Sequence, residues 1–262
     1  MSKVFAYHEG NLPLLISVPH DGRDVPQEQR ERMTDAGLEL PDTDWHVAEL
    51  YSFARELGAS MLVANYSRYV VDLNRPADDA AMYEGQVATG LCPQYTFAGA
   101  PLYKRDAAVR PEEANGRVEK FWHPYHEKLG AALADMRASH GYALLWDAHS
   151  IASRVPRLFD GELPVFNLGT YDDRSCDPHI SQALLEIAEA SPYQSVLNGR
   201  FKGGYITRHY GDPAGNVHAV QLELAQRGYM DEQSRTYDDV NARRLQITLR
   251  RLLEAFATAA VQ

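Results

Sequence analysis

Short apolar runs that stop at polar or turn-forming residues recur along the chain, and each of them predicts a β-strand. The runs cover residues 14–18, 60–64, 69–73, 142–149, 164–168 and 217–224. In the fourth run, alternation puts Asp147 and His149 on one face of the strand and Trp146 and Ala148 on the other. The pattern therefore delivers polar side chains to a defined side of a sheet.

Between these runs, apolar residues recur at helical spacing. Segment 45–57 predicts a helix that ends at Gly58 and begins at a cap formed by Asp42, Thr43 or Asp44. Asp44 is therefore expected close to the start of a helix.

Three further helices follow from the same spacing. One extends from Pro111 towards residue 140, and Gly116 and Pro124 within it predict either two helices or a kink. The other two cover residues 178–190 and 233–258.

Strands that alternate with helices predict an α/β fold with a mixed, mostly parallel sheet and helices on both faces. A length of 262 residues and an apolar content of 45% are enough for a sizeable core, so we expect a single domain over residues 1–262. Residues 76–110 show no clear periodicity, and an irregular stretch of this length predicts a functional loop or lid.

Four polar clusters lie at the ends of apolar segments: Ser17-Val-Pro-His20, Asp72-Leu-Asn-Arg75, Asp147-Ala-His-Ser150 and Gln221-Leu-Glu-Leu224. Ligands of open α/β sheets bind outside the carboxyl ends of the strands, so we expect His20, Arg75 and His149 to meet there. Two imidazoles, a guanidinium and a carboxylate are groups with which a hydrolase holds zinc, fixes an anion and activates water.

His20 and His149 predict a metal centre, for which a catalytic zinc ion needs one further protein ligand. Asp44 is the preferred carboxylate because its helix starts near the same sheet edge, and Asp24 and Asp42 are the alternatives. A lone histidine is more often a capping or core residue, so the prediction depends on the joint placement of the two imidazoles.

A second histidine pair, His123 and His126, has a spacing that would chelate a metal ion from one helical face. The surrounding aromatic residues favour packing instead. His209 and His218 have no comparable carboxylate arrangement and are expected to be structural or rim residues.

Glu223 lies inside an apolar strand, where an unpaired carboxylate is costly. We expect it to exchange protons with the attacking water and the leaving amine, and a structural ion pair with an arginine is the alternative. Asp147 is expected to orient the imidazole of His149 as its outer hydrogen-bond partner, and helix or turn capping is the alternative role.

Asn74 and Arg75 combine an amide with a planar cationic fork that suits a substrate carboxylate. Arg68 adds a second positive group to this candidate substrate site. Alternatively, both arginines pair with the surplus acidic residues of the chain.

The formal net charge of −10 argues against nucleic acid and leaves a small anionic substrate to be held by local arginines. The sequence has no membrane-spanning apolar stretch and no signal-peptide pattern, so we expect a soluble protein without a membrane partner. Its two cysteines lack a Cys-x-x-Cys spacing, which fits a reducing cytoplasm. No oligomeric state is predicted.

Five motifs follow one another across most of the chain: Ser17-Val-Pro-His-Asp-Gly22, Ser67-Arg-Tyr-Val-Val-Asp-Leu-Asn-Arg-Pro76, Asp147-Ala-His-Ser150, Gly203-Gly-Tyr-Ile-Thr207 and Gln221-Leu-Glu-Leu224. Together they resemble the N-formylglutamate amidohydrolase (formylglutamate deformylase) family. The block at 67–76 is the most specific of the five, whereas Asp-x-His-Ser alone would be weak.

That family is similar in fold to zinc carboxypeptidases, succinylglutamate desuccinylase and aspartoacylase. The resemblance implies two histidines and a carboxylate on zinc with a glutamate base, which carry over to His20, Asp44, His149 and Glu223. The peptidase-type His-x-x-Glu pair is absent, because Arg23 follows His20 by three residues. Asp44 must therefore supply the carboxylate.

The resemblance further implies hydrolysis of N-formyl-L-glutamate to formate and L-glutamate, the last step of one route of histidine breakdown. Zinc and Arg68 would stabilise the oxyanion, while Arg75 and Asn74 would hold a glutamate carboxylate. A deacylase of another N-acyl acidic amino acid and a small metallopeptidase are the alternatives within the same class. A binding protein for acidic amino-acid derivatives would use the same arginines without a metal.

Overall fold

The computed structural model describes residues 3–80 and 89–259. Within them, a seven-stranded sheet forms the centre of the molecule. Its strands are β1 (Phe5–His8), β2 (Leu14–Val18), β3 (Ser60–Ala64), β4 (Ala143–Ile151), β5 (Phe166–Gly169), β6 (Ser195–Leu197) and β7 (Val217–Ala225). A separate hairpin consists of β8 (Met230–Asp231) and β9 (Thr236–Tyr237).

The strand order in the sheet is β1-β3-β2-β4-β7-β5-β6. The four central strands β3, β2, β4 and β7 are parallel to one another. At the two edges, β1 runs antiparallel to β3, and β5 runs antiparallel to β7 with β6 parallel to β5. The predicted α/β class and the mixed, mostly parallel sheet are confirmed.

Helices cover both faces of the sheet. They are α1 (Gln27–Arg30), α2 (Asp35–Leu38), α3 (Val47–Leu50), α4 (Pro111–Arg117), α5 (His123–His140), α6 (Pro178–Glu189), α7 (Tyr205–Tyr210) and α8 (Asp239–Ala259). Helices α3, α6 and α8 bury their apolar side chains against one face, and α5 and α7 cover the other. Two large apolar cores result, one on each side of the sheet, beside a smaller third cluster around Ile151 and Val155.

The pleat of the central strands assigns alternate side chains to these two cores. Trp146 and Val220 point to the α8 side, whereas Leu145 and Ala219 point to the α5 side. Towards the carboxyl ends of the strands, the positions on the α5 side become polar: Ser17, Asp147, His149, Gln221 and Glu223. The strand ends thus collect the candidate site residues on one side of the sheet.

Residues 69–73 are not a strand, so that prediction is wrong. The segment is apolar because it is buried against the α5-side core. Side chains satisfy its carbonyl groups: Gln29 donates to the carbonyl of Tyr69 at 2.8 Å, and Arg117 donates to that of Val70 at 2.9 Å. Because these donors replace a strand partner, the segment is buried without joining the sheet.

The helix predicted over 45–57 is broken into α3 and a 3₁₀ turn over Ser52–Arg55. His46, which precedes α3, has a left-handed backbone with φ of 63°, so the helix cannot begin at Trp45. Asp44 still lies just before the helix start, and its carbonyl accepts the amide of Val47 at 3.4 Å.

The predicted helix from Pro111 to residue 140 is interrupted by a π-helical turn over Val118–Trp122 that connects α4 to α5. Pro124 follows this turn closely, and a proline that cannot donate its backbone nitrogen favours such a local change of hydrogen bonding.

The predicted helix over 233–258 begins only at Asp239, because the β8–β9 hairpin occupies the preceding residues. Asp238 caps the helix by accepting the amides of Val240 and Asn241 at 3.0 Å. The prediction over 178–190 agrees with α6.

The loop expected over 76–110 is irregular at 76–80 and 89–110, and residues 81–88 of it lie outside the described residues. No helix in the described ranges is both long and apolar enough to cross a membrane.

Candidate metal centre and substrate pocket

Three predicted ligands converge at the carboxyl ends of the central strands. The carboxylate Oδ2 of Asp44 lies 3.0 Å from Nδ1 of His149 and 3.7 Å from Nδ1 of His20. One ligand atom from each residue lies within 4.8 Å of the others, and all three side chains are buried. In the part of the chain that the structure describes, no other group of three or more histidine, cysteine, aspartate or glutamate residues brings its ligand atoms this close together.

His20 is held from one side and has no hydrogen-bond partner on the other. Its Nε2 lies 2.8 Å from Oδ1 of Asp72, which accepts the proton on that nitrogen. Its Nδ1 is buried and has no hydrogen-bond partner. A buried nitrogen lone pair that faces a carboxylate and an imidazole is a group that a cation would satisfy.

His149, one strand further on, also lies between two carboxylates. Its Nε2 lies 3.0 Å from Oδ2 of Asp147 and its Nδ1 faces Asp44. Burial opposes a charged imidazole, but Asp147 and Asp44 outweigh it and raise the pKa of His149 well above its usual value. The site therefore favours positive charge at Nδ1, where a divalent metal ion would replace the proton.

Asp44 is fixed by its backbone and by its second contacts. Its amide donates to the carbonyl of His20 at 3.1 Å, and its Oδ2 also accepts the amide of Ser150 at 3.1 Å. Burial alone would raise the pKa of Asp44, but the charge of His20 and the hydrogen bond from His149 hold it below its usual value. Asp44 is thus held in its ionised form, the form in which a carboxylate can bind a metal ion.

The donor set of two imidazole nitrogens and one carboxylate oxygen matches a catalytic zinc site with an open fourth position. Carboxylates behind both histidines, Asp72 and Asp147, add the outer partners that usually orient histidine ligands. The residues present therefore fit the metal that the sequence predicts.

The alternative ligands are engaged elsewhere. Asp42 accepts the Tyr69 hydroxyl at 2.6 Å and the Phe97 amide at 2.7 Å. Asp24 is exposed. Asp44 is accordingly the carboxylate that lies beside the two histidines.

The other histidines lie away from this centre. His123 is 41% exposed, lies 3.5 Å from Glu119 and packs edge-on against Trp122, so it does not form a chelating pair with the buried His126. His218 accepts the amide of Asp177 at 3.2 Å, and His209 stacks on a tyrosine ring.

Glu223 faces the same pocket as the two histidines. It lies opposite His149 in the β4–β7 register. Among the described residues it forms no ion pair, and its carboxylate accepts one side-chain hydrogen bond, from Gln221 at 3.3 Å. Burial raises the pKa of Glu223 to about 8, although the neighbouring His149 opposes this shift. Such a carboxyl exchanges protons near neutral pH.

The pocket beside the candidate metal centre is rich in arginine. Arg68, Arg75 and Arg200 line it together with Phe97 and Thr89. Three guanidinium groups therefore line this pocket in a protein whose net charge is −10.

The three arginines are anchored differently. Arg68 donates to Asp72 at 2.8 Å and contacts Asp44 at 3.5 Å, so it pairs with the carboxylates next to the two histidines. Arg75 donates from Nε to the carbonyl of Thr89 at 2.8 Å, and Arg200 donates from Nε to a backbone carbonyl at 2.9 Å. Anchoring through Nε fixes the plane of each guanidinium.

Asn74 is packed behind the candidate ligand His149. Its Nδ2 lies 3.0 Å from His149 Nε2 and 3.4 Å from Asp147 Oδ2, and its Oδ1 accepts the amide of Ile206 at 2.8 Å. These contacts direct the amide towards the candidate ligand His149 and towards α7. The sequence predicts only a substrate-binding role for Asn74.

Close approach of Gly204 holds Asn74 in this position. A Cβ added at Gly204 would lie 2.3 Å from Asn74 Nδ2. We expect Gly204→Ala to cost about 1–3 kcal/mol of stability through overpacking and to displace Asn74 from His149. Thermal unfolding and steady-state kinetics measure both effects. In the control Gly116→Ala, the new Cβ meets no heavy atom within 4 Å, so an equal effect of the two substitutions would contradict the prediction.

Two roles were not assigned from the sequence. Asp72 is the partner of His20, and Arg200 lines the pocket. Arg68 and Asp72 form an ion pair and are four positions apart, and this spacing is a signal in the sequence that points to a role for Asp72. Arg200 lies in a segment without a strand or helix, so periodicity could not place it.

The sequence profile of the N-formylglutamate amidohydrolase family matches residues 12–230 of the chain. An N-formylglutamate deformylase from Pseudomonas putida is 53% identical over 257 residues, which are 97% of this chain and 96% of that protein. One from Pseudomonas aeruginosa is 53% identical over 235 residues, covering 89% and 88% of the two chains.

Two solved structures share the fold. The crystal structure of an N-formylglutamate amidohydrolase from Ralstonia eutropha superposes with a TM-score of 0.81 at 23% identity, over 96% of this chain and 98% of that one. A gene product from Agrobacterium tumefaciens superposes with a TM-score of 0.74 at 16% identity, over 97% and 96% of the two chains.

Proposed function

The chain belongs to the N-formylglutamate amidohydrolase family, and on this premise we propose that it hydrolyses N-formyl-L-glutamate to formate and L-glutamate with a bound zinc ion. The observation that carries the metal dependence is the buried, unpartnered Nδ1 of His20, which faces Asp44 and His149. The resemblance also implies a cytoplasmic role in histidine breakdown, which we include in the proposal.

His20, Asp44 and His149 would hold the metal ion. When bound, a zinc ion supplies Lewis-acid chemistry that polarises a carbonyl group and lowers the pKa of water. Asp72 accepts a hydrogen bond from Nε2 of His20, and Asp147 lies 3.0 Å from Nε2 of His149, so that the Nδ1 atoms of both histidines are left to face the site.

Glu223 would accept the proton of the attacking water and return it to the nitrogen of the leaving glutamate. Its place in the pocket and its raised pKa support this assignment. Attack forms the bond between the water oxygen and the formyl carbon, and proton transfer to nitrogen accompanies cleavage of the carbon–nitrogen bond.

Arg75 would bind a carboxylate of the substrate through its planar guanidinium, with Asn74 and Arg68 beside it. Their shared position at the pocket supports the assignment. The contacts of Asn74 with His149 and the ion pairs of Arg68 give both residues a second task in holding the metal centre together.

The test is an assay of purified protein of known metal content against N-formyl-, N-acetyl- and N-succinyl-L-glutamate. We expect turnover with the formyl compound and loss of turnover after chelation. Preference for another acyl group would identify a deacylase of different specificity. Tight binding without turnover by the zinc-loaded protein would identify a binding protein.

We expect Arg75→Lys to impair use of N-formyl-L-glutamate although the charge is kept, because lysine cannot form the bidentate contact. Breaking such a desolvated pair costs about 2–5 kcal/mol, which would appear in kcat/KM. The measurement compares the substrate with its α-carboxyl amide and its side-chain amide in both enzymes. Removing the carboxylate that Arg75 holds should harm the wild type strongly and the variant little. Equal penalties for both amides in both enzymes would exclude Arg75 from the substrate site.

A further inference from the structure

Segment 72–75 supplies three side chains to the site but lies in neither a helix nor a strand. Asp72 and Asn74 contact the two candidate histidine ligands, and Arg75 lines the pocket. Side chains that bind a substrate must be held within a fraction of an ångström. A segment without regular structure needs other contacts for that rigidity.

Two aromatic side chains hold the carbonyl groups on either side of Asn74. The indole Nε1 of Trp122 donates to the carbonyl of Arg75 at 2.9 Å. The imidazole Nε2 of His126 donates to the carbonyl of Leu73 at 2.9 Å. The backbone around Asn74 is thus fastened at two points to α5 and to the π turn before it.

His126 is itself locked in place. Its ring stacks on Trp122 with centroids 3.7 Å apart, and the parallel ring of Tyr210 lies on another side with its hydroxyl 3.0 Å from Nδ1. Burial lowers the pKa of His126 to about 3, so the ring is neutral and keeps its proton on Nε2. Because both ring nitrogens are engaged, His126 serves as a donor to the backbone and not as a metal ligand.

Helix α4, which precedes the π turn, also binds the backbone just upstream of segment 72–75. Arg117, the last residue of α4, donates to the carbonyl of Val70 at 2.9 Å. The π turn over Val118–Trp122 then changes the helical register before Trp122 reaches Arg75. Such turns often occur at functional sites.

We propose that Trp122 and His126 are positioning residues, which act by fixing the backbone that presents Arg75 and Asn74 to the pocket. The proposal rests on the proposed function for the role of Arg75. Neither Trp122 nor His126 lines the pocket, so both would act through the segment that they hold.

Trp122→Phe tests this directly, because it keeps the ring stack and removes the N–H donor. We expect KM for N-formyl-L-glutamate to rise roughly two- to tenfold, the range for loss of one hydrogen bond, with kcat and zinc content nearly unchanged. The matched control is Trp146→Phe, which removes an indole donor 3.0 Å from the Tyr51 hydroxyl in the opposite core. That variant should lose stability and keep its KM.

The route through Arg75 is tested by combining the substitutions. If Trp122 acts by placing Arg75, Trp122→Phe should raise KM much less in an Arg75→Lys background than in the wild type. An equal rise in both backgrounds would overturn the proposal. For His126, Phe keeps the stacking but not the donor, and Gln keeps a donor, so Gln should restore KM relative to Phe.

Amide hydrogen exchange separates this inference from the proposed function, because it needs neither substrate nor metal. Peptides that contain segment 72–75 should exchange faster in Trp122→Phe than in Trp146→Phe. If the wild type failed to hydrolyse N-formyl-L-glutamate, faster exchange would still support the positioning role. Unchanged exchange, or an unchanged KM in an active enzyme, would overturn it.

Discussion

Glu223→Gln is expected to lower kcat by about 10²–10⁴-fold, the usual range for loss of a general acid–base group. The amide keeps the shape of the side chain and its position on β7 but cannot accept the proton of the attacking water. Because Glu223 forms no ion pair with any described residue, the substitution should leave folding intact. Steady-state kinetics, metal analysis and thermal unfolding of the same preparation measure the three properties.

The matched control for this substitution is Glu232→Gln. Glu232 is a partly buried carboxylate that accepts hydrogen bonds from the amides of Ser153 and Arg227. Its loss should reduce stability and leave kcat largely unchanged. If Glu223→Gln kept a near-normal kcat, the proton acceptor would be another group and Glu223 would be structural.

Substitution of His20 or His149 by Ala is expected to remove most of the bound metal and with it the activity. Each substitution deletes one of three candidate ligands, so affinity should fall by more than the roughly 10- to 100-fold that loss of an outer partner costs. Asp72→Asn keeps all three candidate ligands and changes the outer partner that His20 shares with Arg68, so its loss of metal affinity should fall within that smaller range. Elemental analysis after dialysis measures the metal content of each variant, and titration with a competing chelator measures its metal affinity.

His218→Ala is the control for the histidine substitutions, because His218 lies on β7 and contacts the backbone of Asp177 instead of the centre. Its metal content should match the wild type. Full metal content in His20→Ala and His149→Ala together would place the metal ion at a different site.

The placement of His20 and His149 could be predicted from the sequence because it depends on local features. An apolar run that stops at proline or at a polar residue defines a strand end, and parallel strands bring those ends to one edge. The choice of Asp44 was weaker, because it depended on a helix whose start lies at Val47 and not at Trp45. Asp44 nevertheless reaches the site because its amide binds the carbonyl of His20.

Segment 69–73 shows why other features could not be predicted. Its apolar pattern is that of a strand, but side chains from distant parts of the chain, Gln29 and Arg117, satisfy its carbonyl groups. Long-range partners of this kind leave no periodic signal in the local sequence. The same holds for His126 and Leu73, which are 53 positions apart and in direct contact.

The distribution of polar residues on one side of the strand ends also limits how the chain can change length. Inserting a single residue into β7 before Gln221 would turn Glu223 away from the pocket and bring an apolar neighbour such as Leu222 into its place. An insertion of two residues would restore the orientation but move the carboxylate beyond His149, its register partner on β4. Length variation among relatives should therefore be absent from β4 and β7 and concentrated in the irregular connections.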